Sequence, residues 1–160
     1  LTFGITLLSI KLIIFAYLTL VLFFSDLETQ LLPLVLNLML LILGFLFSFD
    51  QNMLLQSLLA AIVGATILLI LRFVTSIIYK METIGLGDVI LLAGIGSFWG
   101  LQSMLVSLHS GVIVGGFYGI YLLATKKAKK NDYLAFGPFL IIGFWINHFY
   151  GIQLVNWLNG

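Results

Sequence analysis

The sequence predicts an all-α membrane protein, a polytopic bundle of about six transmembrane helices forming a single domain over residues 1–160. Three observations carry this. Hydrophobic residues make up 62% of the chain and charged residues 8%, with a mean hydropathy of +1.22, more apolar than a water-facing surface tolerates. Apolar runs near the roughly 20 residues that a bilayer crossing needs recur along the chain, each bounded by polar or glycine punctuation. The cations cluster in alternate connections, as the positive-inside rule requires of a multi-pass protein.

In order, the spans are expected near 3–25, 32–49, 54–78, 89–101, 104–124 and 134–150. The connections are SDLETQLLP, FDQN, YKMETIGLGD, a tight WGLQS turn and KKAKKND; the tail GIQLVNWLNG reads as interfacial. Of the first, third and fifth connections, the third holds Lys80 and the fifth Lys126, Lys127, Lys129 and Lys130, whereas the second, the fourth and the tail hold no Lys or Arg. That asymmetry puts the odd connections on the cytoplasmic side of the cell membrane. Small residues supply the packing: Gly111, Gly115 and Gly119 make a GxxxGxxxG ridge, and Ala61 with Ala65 and Gly96 with Gly100 repeat the spacing. His109 reads as a buried hydrogen-bonding group between helices, and His148 as an interface anchor. Arg72 is expected to snorkel toward headgroups, while Lys11 has no partner evident in the sequence.

A net charge of +1 with no long basic run argues against nucleic acid as a partner. The chain has no cysteine and two histidines far apart, so neither disulfides nor a metal site is expected, and nothing implies a cofactor. It opens at Leu1 without an initiator Met, which fits a processed or truncated product lacking an N-terminal segment.

Chemistry is concentrated in two of the six acidic residues, Asp26 in FFSDLETQLLP and Asp88 in ETIGLGDVILLAG. A carboxylate at the mouth of an apolar span is costly and marks a functional site, and two of them suggest an acid/base pair for aspartyl hydrolysis. Gly85 and Gly87 place two residues without side chains just before Asp88, so that backbone can approach closely. Each aspartate also has an ordinary reading on its own: Asp88 as a helix N-cap and Asp26 as a wet residue at a span end.

Taken together, D-x6-P from Asp26 to Pro33 and GLGD ending at Asp88 resemble the signature of the type IV prepilin peptidases, membrane aspartyl proteases of the GxGD type. The interval from position 26 to position 88 is 62 residues, close to that family's. LLAGIGSFWG at 91–100 and AFGPFL at 135–140 also look like the family's surroundings, so the resemblance runs from about residue 15 to 145. Two departures stand out. The paired CxxC motifs linked to N-methylation in bifunctional members are absent, so methyltransferase activity does not carry over. Ile90 stands where many relatives place Lys, which removes a cation that would favour a charged Asp88 and leaves the pH optimum open.

The resemblance implies Asp26 and Asp88 as catalytic residues, with Gly85, Gly87 and Pro33 positioning the active-site loop. Glu28 and Glu82 become candidate contacts for the basic leader of a prepilin or pseudopilin substrate of type IV pilus, secretion or competence systems. Cleavage is expected at the membrane boundary, facing the cytoplasm, by an enzyme whose other partner is the lipid bilayer. One alternative is a non-enzymatic transporter or assembly factor using the two aspartates as a proton or cation relay. Another is a presenilin-like or signal-peptide-peptidase-like enzyme, which shares GxGD but places Tyr before its first aspartate, where this chain has Ser25.

Overall fold

The computed structural model describes residues 6–50, 53–80, 84–125 and 135–159, with the side chains of Asp50, Tyr79, Leu123 and 151–159 left out. The described residues form helices and no strand. Helix α1 is Leu7–Thr29, α2 is Leu34–Asp50, α3 is Leu54–Tyr79, α4 is Leu86–Ala124 and α5 is Gly137–Asn159. Among the described residues three helices, over Leu7–Thr29, Leu54–Ile78 and Leu86–Leu122, are long and apolar enough to cross a membrane, and α2 contributes a shorter apolar helix. Large hydrophobics such as Ile13, Leu55, Phe73, Phe117 and Ile120 are exposed around the outside. An apolar perimeter of this extent is stable against lipid rather than water, and the chain is a membrane protein.

Helix α4 replaces two of the expected spans. Its backbone leaves the helical region at Gly100, with φ 79° and ψ −177°. At about 1.5 Å per residue an unbroken α4 would far exceed the roughly 30 Å of a hydrocarbon core. The break turns the second arm back, so that Met104 packs near Gly64 beside Leu92 of the first arm. Counted by arms, the apolar segments are compatible with about six spans. A non-glycine residue at Gly100 is strained by its dihedrals although nothing crowds the position. Gly100→Ala is therefore expected to destabilise the bundle by about 1–3 kcal/mol. The check is the unfolding midpoint in detergent beside Gly116→Ala, where an added methyl meets open space and the midpoint should not move.

The first arm of α4 is the centre of the bundle. Leu91, Leu92, Ile95 and Phe98 are fully or almost fully buried against Phe15, Leu22, Leu40, Leu68 and Phe144 from the other helices. Small residues permit the contacts: a Cβ at Gly96 would lie 2.9 Å from the Ala60 backbone, and one at Gly111 would lie 3.0 Å from the Phe139 carbonyl oxygen. Hydroxyls join the helices where hydrophobicity cannot. Ser48 and Ser57 both donate to the Ser97 carbonyl at 3.0 and 2.6 Å, and Ser107 donates to the Leu140 carbonyl at 2.7 Å. Ser97 lies within the last turn before the Gly100 break, where carbonyls lose intrahelical partners.

Several boundaries differ from the sequence expectation. Helix α1 continues through Ser25–Thr29 and ends where Gln30 adopts φ 55°, so Asp26 lies inside the helix rather than after it. The backbone of α5 continues as helix to Asn159, through the segment expected as an interfacial tail. His109 is exposed, not buried between helices. Arg72 does not simply reach outward: its guanidinium donates to the Ile84 carbonyl in the approach to α4.

Candidate active site

Asp26, one turn from the end of α1, and Asp88, in the first turn of α4, meet at one end of the bundle. Their residues are 2% and 1% exposed, which is deep burial for carboxylates. Both face Gly137, the first residue of α5: a Cβ there would lie 2.7 Å from Asp26 Oδ2 and 3.3 Å from Asp88 Oδ1. Those two oxygens are therefore within about 6 Å of each other, the range in which each carboxylate feels the other's charge.

Local sequence explains each placement. The amide of Gly85 donates to Asp88 Oδ2 at 3.1 Å. With α4 starting at Leu86, Asp88 reaches back to the residue before the helix, the geometry of an acidic side chain in a capping box. This corrects the ordinary N-cap reading: Asp88 caps from within the first turn. Gly87 is needed for space, since a Cβ there would be 2.8 Å from Leu32 Cβ. Pro33 stands immediately before α2, and its carbonyl accepts the Asn37 amide at 3.1 Å. Proline fits a helix start because its missing N–H leaves nothing unsatisfied. Phe136 opens α5, its carbonyl accepting from the amides of Phe139 and Leu140. The starts of α4 and α5 thus direct the positive ends of two helix dipoles at the carboxylates.

A cavity of about 140 Å³ opens beside the pair, lined by Asp26, Gln30, Leu31, Leu32, Gly85, Leu86, Gly87 and Asp88. It has room for several water molecules at about 30 Å³ each. Asp26 Oδ2 and Asp88 Oδ1 are buried with no hydrogen-bond partner among the described residues. Buried acceptors left open beside a cavity can engage water or a substrate backbone. A larger groove of about 470 Å³ between α1 and α5 is walled by apolar and aromatic side chains such as Leu20, Phe23, Ile141 and Phe149, and offers nothing to activate water.

The structure therefore brings together Asp26, Asp88, Gly85 and Gly87, with Pro33 behind them at the head of α2. Glu28 is exposed near the end of α1, and Glu82 lies outside the described residues. Three contributors went unassigned in the sequence. Gly137 belongs to the AFGPFL run, whose interest was visible but whose role was not. Arg72 ties down the segment before Gly85 through the Ile84 carbonyl. Asn37, fully buried in α2, donates through Nδ2 to the Gly87 carbonyl at 3.0 Å and so holds the turn that carries Asp88. Asn37→Leu should leave that carbonyl unpaired and lower stability by about 1 kcal/mol. Unfolding in detergent reads the loss, and faster hydrogen exchange around residues 85–88 locates it.

Comparison with known proteins accords with this geometry. The type IV leader peptidase family matches residues 13–120. A prepilin leader peptidase/N-methyltransferase of Aeromonas hydrophila is 32% identical over 136 residues, covering 84% of this chain and 47% of that protein. The protein of the same name from Legionella pneumophila is 30% identical over 161 residues, covering 99% of this chain and 56% of its own length. That from Stutzerimonas stutzeri is 33% identical over 131 residues, covering 81% and 45%. The chain spans about half the length of these curated relatives, and no solved structure matches it. With most of its helices inside the matched region, this chain belongs to the type IV leader peptidase family.

Proposed function

We propose that the chain is a membrane aspartyl endopeptidase that removes the leader of a type IV prepilin or pseudopilin, with Asp26 and Asp88 as its catalytic pair. The observation that carries this is the burial of both carboxylates around Gly137, beside a cavity large enough for water. Two buried carboxylates within about 6 Å are coupled through their charges, so the pair titrates as a unit and neither residue owns a fixed role. The ionised member takes a proton from water as its oxygen attacks the scissile carbonyl carbon. The protonated member donates to the carbonyl oxygen. Collapse of the tetrahedral intermediate breaks the C–N bond, and the amine leaves with a proton from the pair.

Gly85, Gly87, Asn37 and Arg72 position the loop that carries Asp88, and Gly137 spaces the two carboxylates. Placement at the cytoplasmic face is supported by the sequence order, in which the lysines fall in odd-numbered connections and each aspartate borders an odd-numbered connection. A leader peptide and water reach that depth without crossing hydrocarbon. Exposed Glu28, with Glu82, would meet a basic leader.

The test is cleavage of a synthetic prepilin segment spanning leader and apolar helix by the purified chain in detergent, with products read by mass. One cut after the leader's final glycine, lost in Asp26→Asn and Asp88→Asn, is expected. A folded wild type that leaves the substrate intact overturns the reading.

A further inference from the structure

Lys11 sits in the second turn of α1, at the end of the bundle opposite the aspartates, and is 5% exposed. Its ammonium lies 5.0 Å from the centre of the Trp99 ring. Among the described residues it has no hydrogen-bond acceptor and no carboxylate partner. A cation–π contact offsets only part of the cost of burying a charge. A cavity of about 260 Å³ opens beside it, bordered also by Met53, Gln56, Ser57 and Trp99.

Beside the acceptors of Gln56, Ser48 and Ser57, the cavity wall carries a cation and a helix start that face no anion among the described residues. Trp99 Nε1 is buried with no acceptor among the described residues. Helix α3 begins here at Met53 with no side-chain cap, so its first-turn amides and the positive end of its dipole lie at the cavity wall. The Ser57 hydroxyl has its proton committed to the Ser97 carbonyl. A buried cation and an uncapped helix start at the cavity wall call for an acceptor with negative charge. Leu8 and Met53 at the rim are exposed and apolar, as suits neighbouring acyl chains.

We propose that this cavity binds an anionic phosphate group, supplied by a phospholipid headgroup, against Lys11. The bound phosphate ties the start of α1 to the start of α3 and to the Gly100 break of α4. The site lies away from Asp26 and Asp88 and does not depend on the proposed peptidase activity.

The test is thermal unfolding and native mass spectrometry of the purified chain in neutral detergent. Short-chain phosphatidylglycerol, short-chain phosphatidylcholine and inorganic phosphate are titrated separately. Phosphatidylglycerol should bind saturably and raise the unfolding midpoint, with affinity falling about ten- to a hundredfold in Lys11→Met and kept in Lys11→Arg. Phosphatidylcholine should give no response that depends on Lys11. A response to inorganic phosphate that matches phosphatidylglycerol and is lost in Lys11→Met would support the anion site and assign it to free phosphate. Equal binding by wild type and Lys11→Met overturns the proposal. So does the absence of a saturable wild-type response to either anion, a result that holds whether or not Lys11→Met folds.

Discussion

Asp26→Asn and Asp88→Asn should each lower prepilin cleavage by about 10³-fold or more, within the range that a positioned acid or base contributes and near the detection limit. Asparagine keeps the shape of the side chain but can neither take nor give the proton, so the loss reports chemistry rather than packing. On the proposed mechanism the two carboxylates act as one unit, so the double replacement should be no slower than the worse single one. Insertion and helix content should be retained, measured by circular dichroism and elution in detergent. Either single variant cutting at the wild-type rate would remove that aspartate from the mechanism.

Gly137→Ala has the second-largest expected effect. The added methyl would stand 2.7 Å from Asp26 Oδ2, 3.2 Å from Leu32 Cδ1 and 3.3 Å from Asp88 Oδ1. Real Cβ atoms do not make the 2.7 Å contact, so the Asp26 carboxylate must shift by a few tenths of an ångström or α5 must withdraw. A displacement of about 1 Å in a catalytic group costs about 10²-fold, so this smaller shift is expected to cost about tenfold, in kcat with KM little changed. Gly115→Ala, whose methyl would meet the Phe139 ring at 3.2 Å, is the control for small-residue packing between α4 and α5. It should affect stability more than turnover. If Gly137→Ala keeps full kcat, the carboxylate spacing does not govern the reaction.

Much of the site was legible because its signals are local. Asp26 and Asp88 stood out as carboxylates against apolar spans, and the glycines before Asp88 announced a close approach. What that approach met was not legible: Gly87 clears Leu32, and its carbonyl is held by Asn37, 50 residues earlier. Asn37 reads in sequence as one polar residue in an apolar helix, with nothing to name its partner. Gly137 lay in a run already of interest, yet only the packing of α5 against α1 and α4 sets it between the carboxylates. Lys11 was unexplained from sequence, and its neighbour Trp99 lies on another helix.

The sequence by itself determined the class of the protein, its all-helical, apolar character and the identity of its two exceptional carboxylates. Hydropathy is a sum over neighbouring residues, and the cost of a charge beside hydrocarbon is large enough to be read one residue at a time. The tertiary structure decided that α4 breaks at a single residue, that Asn37 and Arg72 hold the Asp88 loop, and that Gly137 spaces the pair. Those outcomes depend on distances of a few ångströms between helices, and such distances follow from how small residues let whole helices approach.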